Sequence, residues 1–243
     1  MVAQMKQPDR TLVAALDPFM TAHGFKYIQS RGAYIRKSKT GFDEFVFSTY
    51  PLATGEKWEA GYHEGFYGIG LRSDAVQEIW NVLGISYGGD PKGHRGTVFR
   101  GVGAYGNYLA VDPLRDRELC LRFDHLEEDV AETVGRIAAM LEADGLAWYA
   151  RYADPVALSQ GINDPIEGRL HPLVNNYEQR PLVGVAAACV AEPGRVPELI
   201  AAYLAVARRD DEQYADQRAA MVPDFSKKFA QITDKARELG YLS

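Results

Sequence analysis

The chain has 243 residues, of which 47% are hydrophobic, 11% aromatic and 25% charged. This composition is typical of a globular protein with a large core, and no apolar run reaches the roughly 20 residues that span a bilayer. Its 27 basic and 33 acidic residues give a net charge of −6. That balance disfavours general binding to a nucleic-acid backbone, which needs a basic surface.

The N-terminal sequence and the two cysteines indicate the cellular compartment. The N-terminal sequence MVAQMKQPDR has no apolar signal-peptide core, so we predict a cytoplasmic protein. Cys120 and Cys189 each lie between apolar neighbours, a context typical of buried free thiols. No Cys/His spacing predicts a zinc site, and no cofactor is predicted.

The first half of the chain predicts one helix and several strands. Residues 9–24 form an amphipathic helix that Pro18 should kink or split. Alternating runs at 25–30, 33–37, 43–52 and 58–71 then predict an antiparallel meander with short connections. A short helix at 74–83 follows and stops at Gly84, and strands are possible at 97–99, 108–111 and 118–123.

The clearest periodic signal lies at residues 124–145 and predicts a long amphipathic helix. Its apolar face carries five residues at helical spacing: Leu126, Val130, Val134, Ile137 and Leu141. Asp124 and Glu127 form a capping pair, and Gly145 is expected to end the helix before the aromatic segment 146–149.

The rest of the chain is predicted to be helical. The apolar run 182–190 could be a strand, but its alanines favour a buried helix. Residues 197–207 form a helix that continues into the charged segment 208–218, and a last helix covers 223–239. The predicted fold class is therefore α+β: an N-terminal helix and antiparallel meander packed on a helical C-terminal half. We place a soft boundary near residue 160, between an α+β domain at 1–160 and a helical region at 161–243.

Three segments resemble the uncharacterised bacterial family DUF4304. They are Leu16-Asp-Pro-Phe19 through Gly24-Phe25, the strand at 43–50, and the central helix through Trp148-Tyr149. The resemblance covers roughly residues 10–160. Such families occur among proposed immunity proteins of bacterial toxin systems, so the resemblance implies a binding protein rather than an enzyme. It carries over no catalytic residues.

A glycine-rich stretch at 84–107 is the first candidate site. Residues 101–106 match G-x-G-x-x-G, but the strand–helix context of a dinucleotide site is missing. The stretch could instead hold an anion through backbone N–H groups and cationic side chains, or it is a solvated loop. Its candidate residues are Lys92, His94, Arg95, Arg100 and Tyr105.

An acidic patch at the start of the central helix is the second candidate. It consists of Glu127, Glu128, Asp129 and Glu132. Such a patch is either a solvated helix face or a docking site for a basic protein, because complementary charge raises the association rate.

The sequence contains no arrangement of His, Ser or Cys that indicates catalysis. We therefore favour a non-catalytic, cytoplasmic protein-binding protein, of the toxin-immunity kind. One alternative is a small-ligand or anion-binding protein, or an enzyme, that uses the stretch 84–107. Another is a helical oligomerisation module that exposes the charged segment 208–218.

Overall fold

A computed structural model describes residues 7–54, 57–84, 96–103, 119–122, 125–166, 171, 173–174, 178–213 and 222–243. The chain divides into two compact units. A sheet unit takes in Met1–Leu71 and Phe99–Ala150, and a helical unit takes in Arg72–Val98 and Arg151–Ser243. Each unit therefore draws on two separate stretches of sequence. The domain boundary expected near residue 160 stays a prediction.

The sheet unit confirms the predicted antiparallel sheet. Its strands are β1 (Lys26–Ile28), β2 (Ala33–Lys37), β3 (Gly41–Thr54), β4 (Lys57–Ser73), β5 (Val98–Gly103) and β6 (Leu119–Arg122). They lie in the order β1-β2-β3-β4-β5, and β6 pairs with β4. The pairs β1–β2, β2–β3 and β4–β6 are antiparallel. The strand expected at 108–111 lies outside the described residues.

The first helix, α1, runs from Gln7 to Ala22 and supplies one side of the sheet unit's core. Its residues Leu12, Leu16 and Met20 are fully buried. The helix continues through Pro18, so it is not split into two pieces, and the kink predicted as the other outcome stays a prediction. A proline costs the helix one backbone hydrogen bond, and the buried apolar face on either side of it offsets that loss.

Alternation along β3 buries one face of the strand, as the sequence predicted. Phe45, Phe47 and Thr49 share that face and are all buried. Thr49 donates a hydrogen bond to Asp9 of α1 at 2.6 Å, and Tyr34 of β2 donates to the Val13 carbonyl at 2.9 Å. These two bonds join α1 to the sheet.

The central helix does not end where the sequence predicted. Helix α3 (Leu126–Met140) passes into a π-helical turn (Leu141–Gly145) and then into α4 (Leu146–Tyr152). A β carbon at position 145 would lie only 2.8 Å from Leu141 Cδ2. The helix therefore does not stop at Gly145, and a side chain there would require that of Leu141 to shift. The capping residue Asp124 lies outside the described residues.

An arginine and a tyrosine fasten α4 to the sheet. The Arg36 guanidinium lies 4.7 Å from the centre of the Phe25 ring and 5.4 Å from that of Tyr149. Its Nε donates to Asp43 at 2.8 Å. The Tyr149 hydroxyl donates to the Glu44 carbonyl of β3 at 2.6 Å. Because burial raises the pKa of Tyr149, the phenol keeps its proton and remains a donor.

The helical unit is built around one buried helix. Its helices are α2 (Asp74–Trp80), α5 (Pro155–Asn163), α6 (Gln179–Ala191), α7 (Val196–Gln213) and α8 (Val222–Glu238). Every residue of α6 from Arg180 to Cys189 is buried, which confirms the buried helix predicted at 182–190. Helices α2, α5, α7 and α8 all contact α6. Among the described residues, no helix has the length and apolar character needed to cross a membrane.

We expect Tyr149→Phe to destabilise the sheet unit by about 1–2 kcal/mol, because it removes the hydrogen bond to the β3 carbonyl while keeping the buried ring. The measurement is the free energy of unfolding in guanidinium chloride. Tyr241→Phe, at a half-buried tyrosine near the C-terminus, is the control and should change it by less than about 0.5 kcal/mol. Equal effects of the two substitutions would contradict the role given to Tyr149.

Candidate functional site

The acidic start of α3 is the only predicted site whose side chains the structure describes. Glu127, Glu128 and Glu132 are exposed, whereas Asp129 is buried. The difference follows from helix geometry, since successive residues point about 100° apart. Asp129 falls on the face of Val130 and Thr133, which are also buried. The acidic surface therefore contains three glutamates and not four acidic residues.

Two of the three glutamates have cationic or imidazole partners on their own helix turn. Glu128 Oε2 lies 3.1 Å from His125 Nδ1, and Glu132 Oε1 lies 3.0 Å from Arg136 Nη1. Both carboxylates are mostly exposed. Exposed pairs of this kind contribute at most about 1 kcal/mol, so a cationic partner can compete for either carboxylate at little cost.

The surface beside these glutamates is open and nearly free of side-chain bulk. Ala131, Gly135 and Ala139 are exposed and follow one another at four-residue spacing along the same face of α3. A β carbon placed on Gly135 would have no heavy atom within 4 Å. Together, the three glutamates and these three small residues form what we call the α3 face.

The structure does not describe the side chains of the candidate residues in the other site, the glycine-rich stretch 84–107. Lys92, His94, Arg95 and Tyr105 lie outside the described residues. Arg100 lies in β5, and only the backbone there is described. Anion binding by the stretch 84–107 therefore stays a prediction.

The structure contains a buried polar cluster in the helical unit that sequence reasoning missed. Asn163, at the end of α5, is fully buried. Its Nδ2 donates to the Gly184 carbonyl of α6 at 3.1 Å. Its Oδ1 accepts a 2.8 Å hydrogen bond from the Tyr203 hydroxyl of α7. One amide side chain thus connects three helices.

Arg180, at the start of α6, is the charged member of the cluster. It is 3% exposed. Its Nε donates to the Ile162 carbonyl at 3.0 Å, its Nη1 to the Ile166 carbonyl at 3.4 Å, and its Nη2 to the Pro165 carbonyl. Burial lowers the pKa of Arg180, and Tyr203 acts in the opposite direction. The cation satisfies the Ile162 carbonyl, which the end of α5 leaves without a helical partner, and two carbonyls of the turn after it, at the end where the helix dipole favours positive charge.

His171 lies next to this arginine as a neutral ring. It is 5% exposed, and its Nδ1 accepts the Leu173 N–H at 3.2 Å. Burial, and then the charge of Arg180, lower its pKa from 6.5 to about 4, against a smaller opposite effect of its hydrogen bond with the Gly161 backbone. Protonation would put a second positive charge in the cluster and remove the acceptor of the Leu173 N–H.

A solvated ion network continues the cluster at the surface. Arg195 Nη2 donates to Asp164 Oδ1 at 2.8 Å, and its Nη1 donates to Asp164 Oδ2 at 3.3 Å. The same Nη1 lies 3.1 Å from Glu192 Oε1. Desolvation is the largest single effect on the Glu192 carboxyl and raises its pKa, but the hydrogen bonds from Ser159, Gln160 and Arg195 together outweigh it, so the pKa of Glu192 is lowered. This network connects the end of α5 with the α6–α7 connection.

The cluster supports the fold and offers little space to a ligand. Arg180, Tyr203 and Phe225 line a cleft of about 10 Å³, which is the space of about one water molecule. The donors of Arg180, Asn163 and Tyr203 described above are directed at acceptors of the protein itself. Within the described part of the chain, no three His, Cys, Asp or Glu side chains are grouped to hold a metal. Burial raises the pKa of the Cys189 thiol to about 12, which suppresses thiolate chemistry there.

Two sequence signals could have pointed to this cluster. Gly184 interrupts an otherwise apolar helix, and a glycine inside a helix usually has a packing reason. Arg180 stands directly before the same apolar run, where a charge is buried only if it is paired or hydrogen-bonded. Neither signal identifies the partners, because Asn163 and Tyr203 lie far from them in sequence.

In comparisons with known proteins, no family model matches the chain, and no curated protein or solved structure is significantly similar to it.

We expect Gly184→Ala to destabilise the helical unit by about 2–4 kcal/mol, because the new methyl group would overpack a hydrogen-bonded core. It would lie 2.3 Å from Asn163 Oδ1 and 3.0 Å from Tyr203 Oη. The matched control is Gly135→Ala, also inside a helix but facing open space, which should stabilise the protein by about 0.5–1 kcal/mol. Chemical denaturation followed by circular dichroism measures both changes. A neutral Gly184→Ala would contradict the packing described here.

We expect His171 to make the free energy of unfolding depend on pH between about 4, its pKa in the folded protein, and 6.5, its ordinary pKa in the unfolded chain. In this window the unfolded chain binds a proton that the folded protein excludes. The contribution of the neutral His171 to the free energy of unfolding is therefore fully present above pH 6.5. It falls as the pH drops, by up to about 3 kcal/mol.

The test compares His171→Asn with the wild type at pH 4.5 and pH 7.5. Asparagine keeps an acceptor for the Leu173 N–H but cannot be protonated, so the difference in unfolding free energy between the two pH values should be smaller than in the wild type. His125→Asn, at an exposed histidine paired with Glu128, should change that difference by less than about 1 kcal/mol. Parallel pH profiles for the wild type and His171→Asn would contradict the assignment.

Proposed function

We propose that this chain is a non-catalytic protein-binding protein, of the toxin-immunity kind, and that it receives a basic partner on the α3 face. The observation that carries the proposal is the exposure of Glu127, Glu128 and Glu132 on one helix of a chain with a net charge of −6. Complementary charge at the rim of an interface accelerates association and selects the partner.

Packing on the α3 face supports the same proposal. The side chains of Ala131, Gly135 and Ala139 leave the helix backbone close to the surface. A partner element can approach such a backbone more closely than it can approach one covered by long side chains. The carboxylates beside this strip would then meet Lys or Arg side chains at its edge.

The helix itself is held firmly, which favours binding without a large ordering cost. Val130 and Ile137 are buried, and α3 contacts α1 and β6 within the sheet unit. The resemblance to DUF4304, with its implied immunity role, is a further reason for expecting a protein partner and itself stays a prediction.

The test is affinity capture from the native host with three immobilised proteins. The first is the wild type, and the second carries Glu127→Lys, Glu128→Lys and Glu132→Lys. The third carries Glu198→Lys, Asp234→Lys and Glu238→Lys, which change the net charge equally at exposed acidic residues of the helical unit. Any protein captured in stoichiometric amount is then purified, and its affinity for all three proteins is measured by calorimetry.

We expect one basic protein that binds the wild type and the third protein alike and binds the second at least about tenfold more weakly. The weakening should shrink at high salt, because salt screens rim charges. Equal binding to all three proteins, equal losses in both variants, or capture of no protein at all would each overturn the proposal.

A further inference from the structure

We draw no further inference here: the strongest candidate, the small cleft lined by Arg180, Tyr203 and Phe225 in the helical unit, has space for about one water molecule and belongs to the buried polar cluster already described.

Discussion

A guanidinium group inside a protein has to be hydrogen-bonded, because an unpaired buried charge costs several kcal/mol. In the helical unit, Arg180 meets this requirement with the carbonyls of Ile162, Pro165 and Ile166. The end of α5 and the turn after it therefore cannot move independently of α6. Asn163 adds α7 to the same group through Tyr203. The apolar surface of α6 is compatible with many neighbours, and these directional bonds select one arrangement of helices.

The sheet unit uses an arginine differently. Arg36 has a carboxylate partner, Asp43, and lies against the aromatic rings of Phe25 and Tyr149. Its side chain is 30% exposed, so it keeps part of its hydration and needs fewer protein acceptors than Arg180. A planar cation of this kind can satisfy a carboxylate at its edge and contact rings with its faces. Arg36 thereby connects the strands to α4 through an ion pair and ring contacts, and not through apolar packing alone.

Local periodicity was sufficient to predict most of the fold. The alternation in β3 and the continuous apolar run in α6 each indicated a buried element, since each pattern belongs to a single element. Predictions failed where side-chain packing in the folded chain, and not the local sequence pattern, decides the outcome. Gly145 has the sequence context of a helix stop, but the helix continues through it, and a β carbon there would lie 2.8 Å from Leu141 Cδ2. Asp129 lies in an acidic run of the sequence, but the rotation of the helix turns its side chain toward the core, where it is buried. The buried cluster depends on residues up to 40 positions apart, which no local pattern records.

The division of the chain has a practical consequence for dissecting the protein. Residues 72–98 leave the sheet unit in the middle of its sequence and belong with the helical unit. There Val76, Ile79 and Trp80 are buried on α2, which contacts α6. A fragment ending near residue 160 would carry this apolar helix without its packing partner, and the complementary fragment would leave the matching surface of α6 uncovered. Both truncations would then be prone to aggregate, so partner mapping with this protein calls for point substitutions in the intact chain.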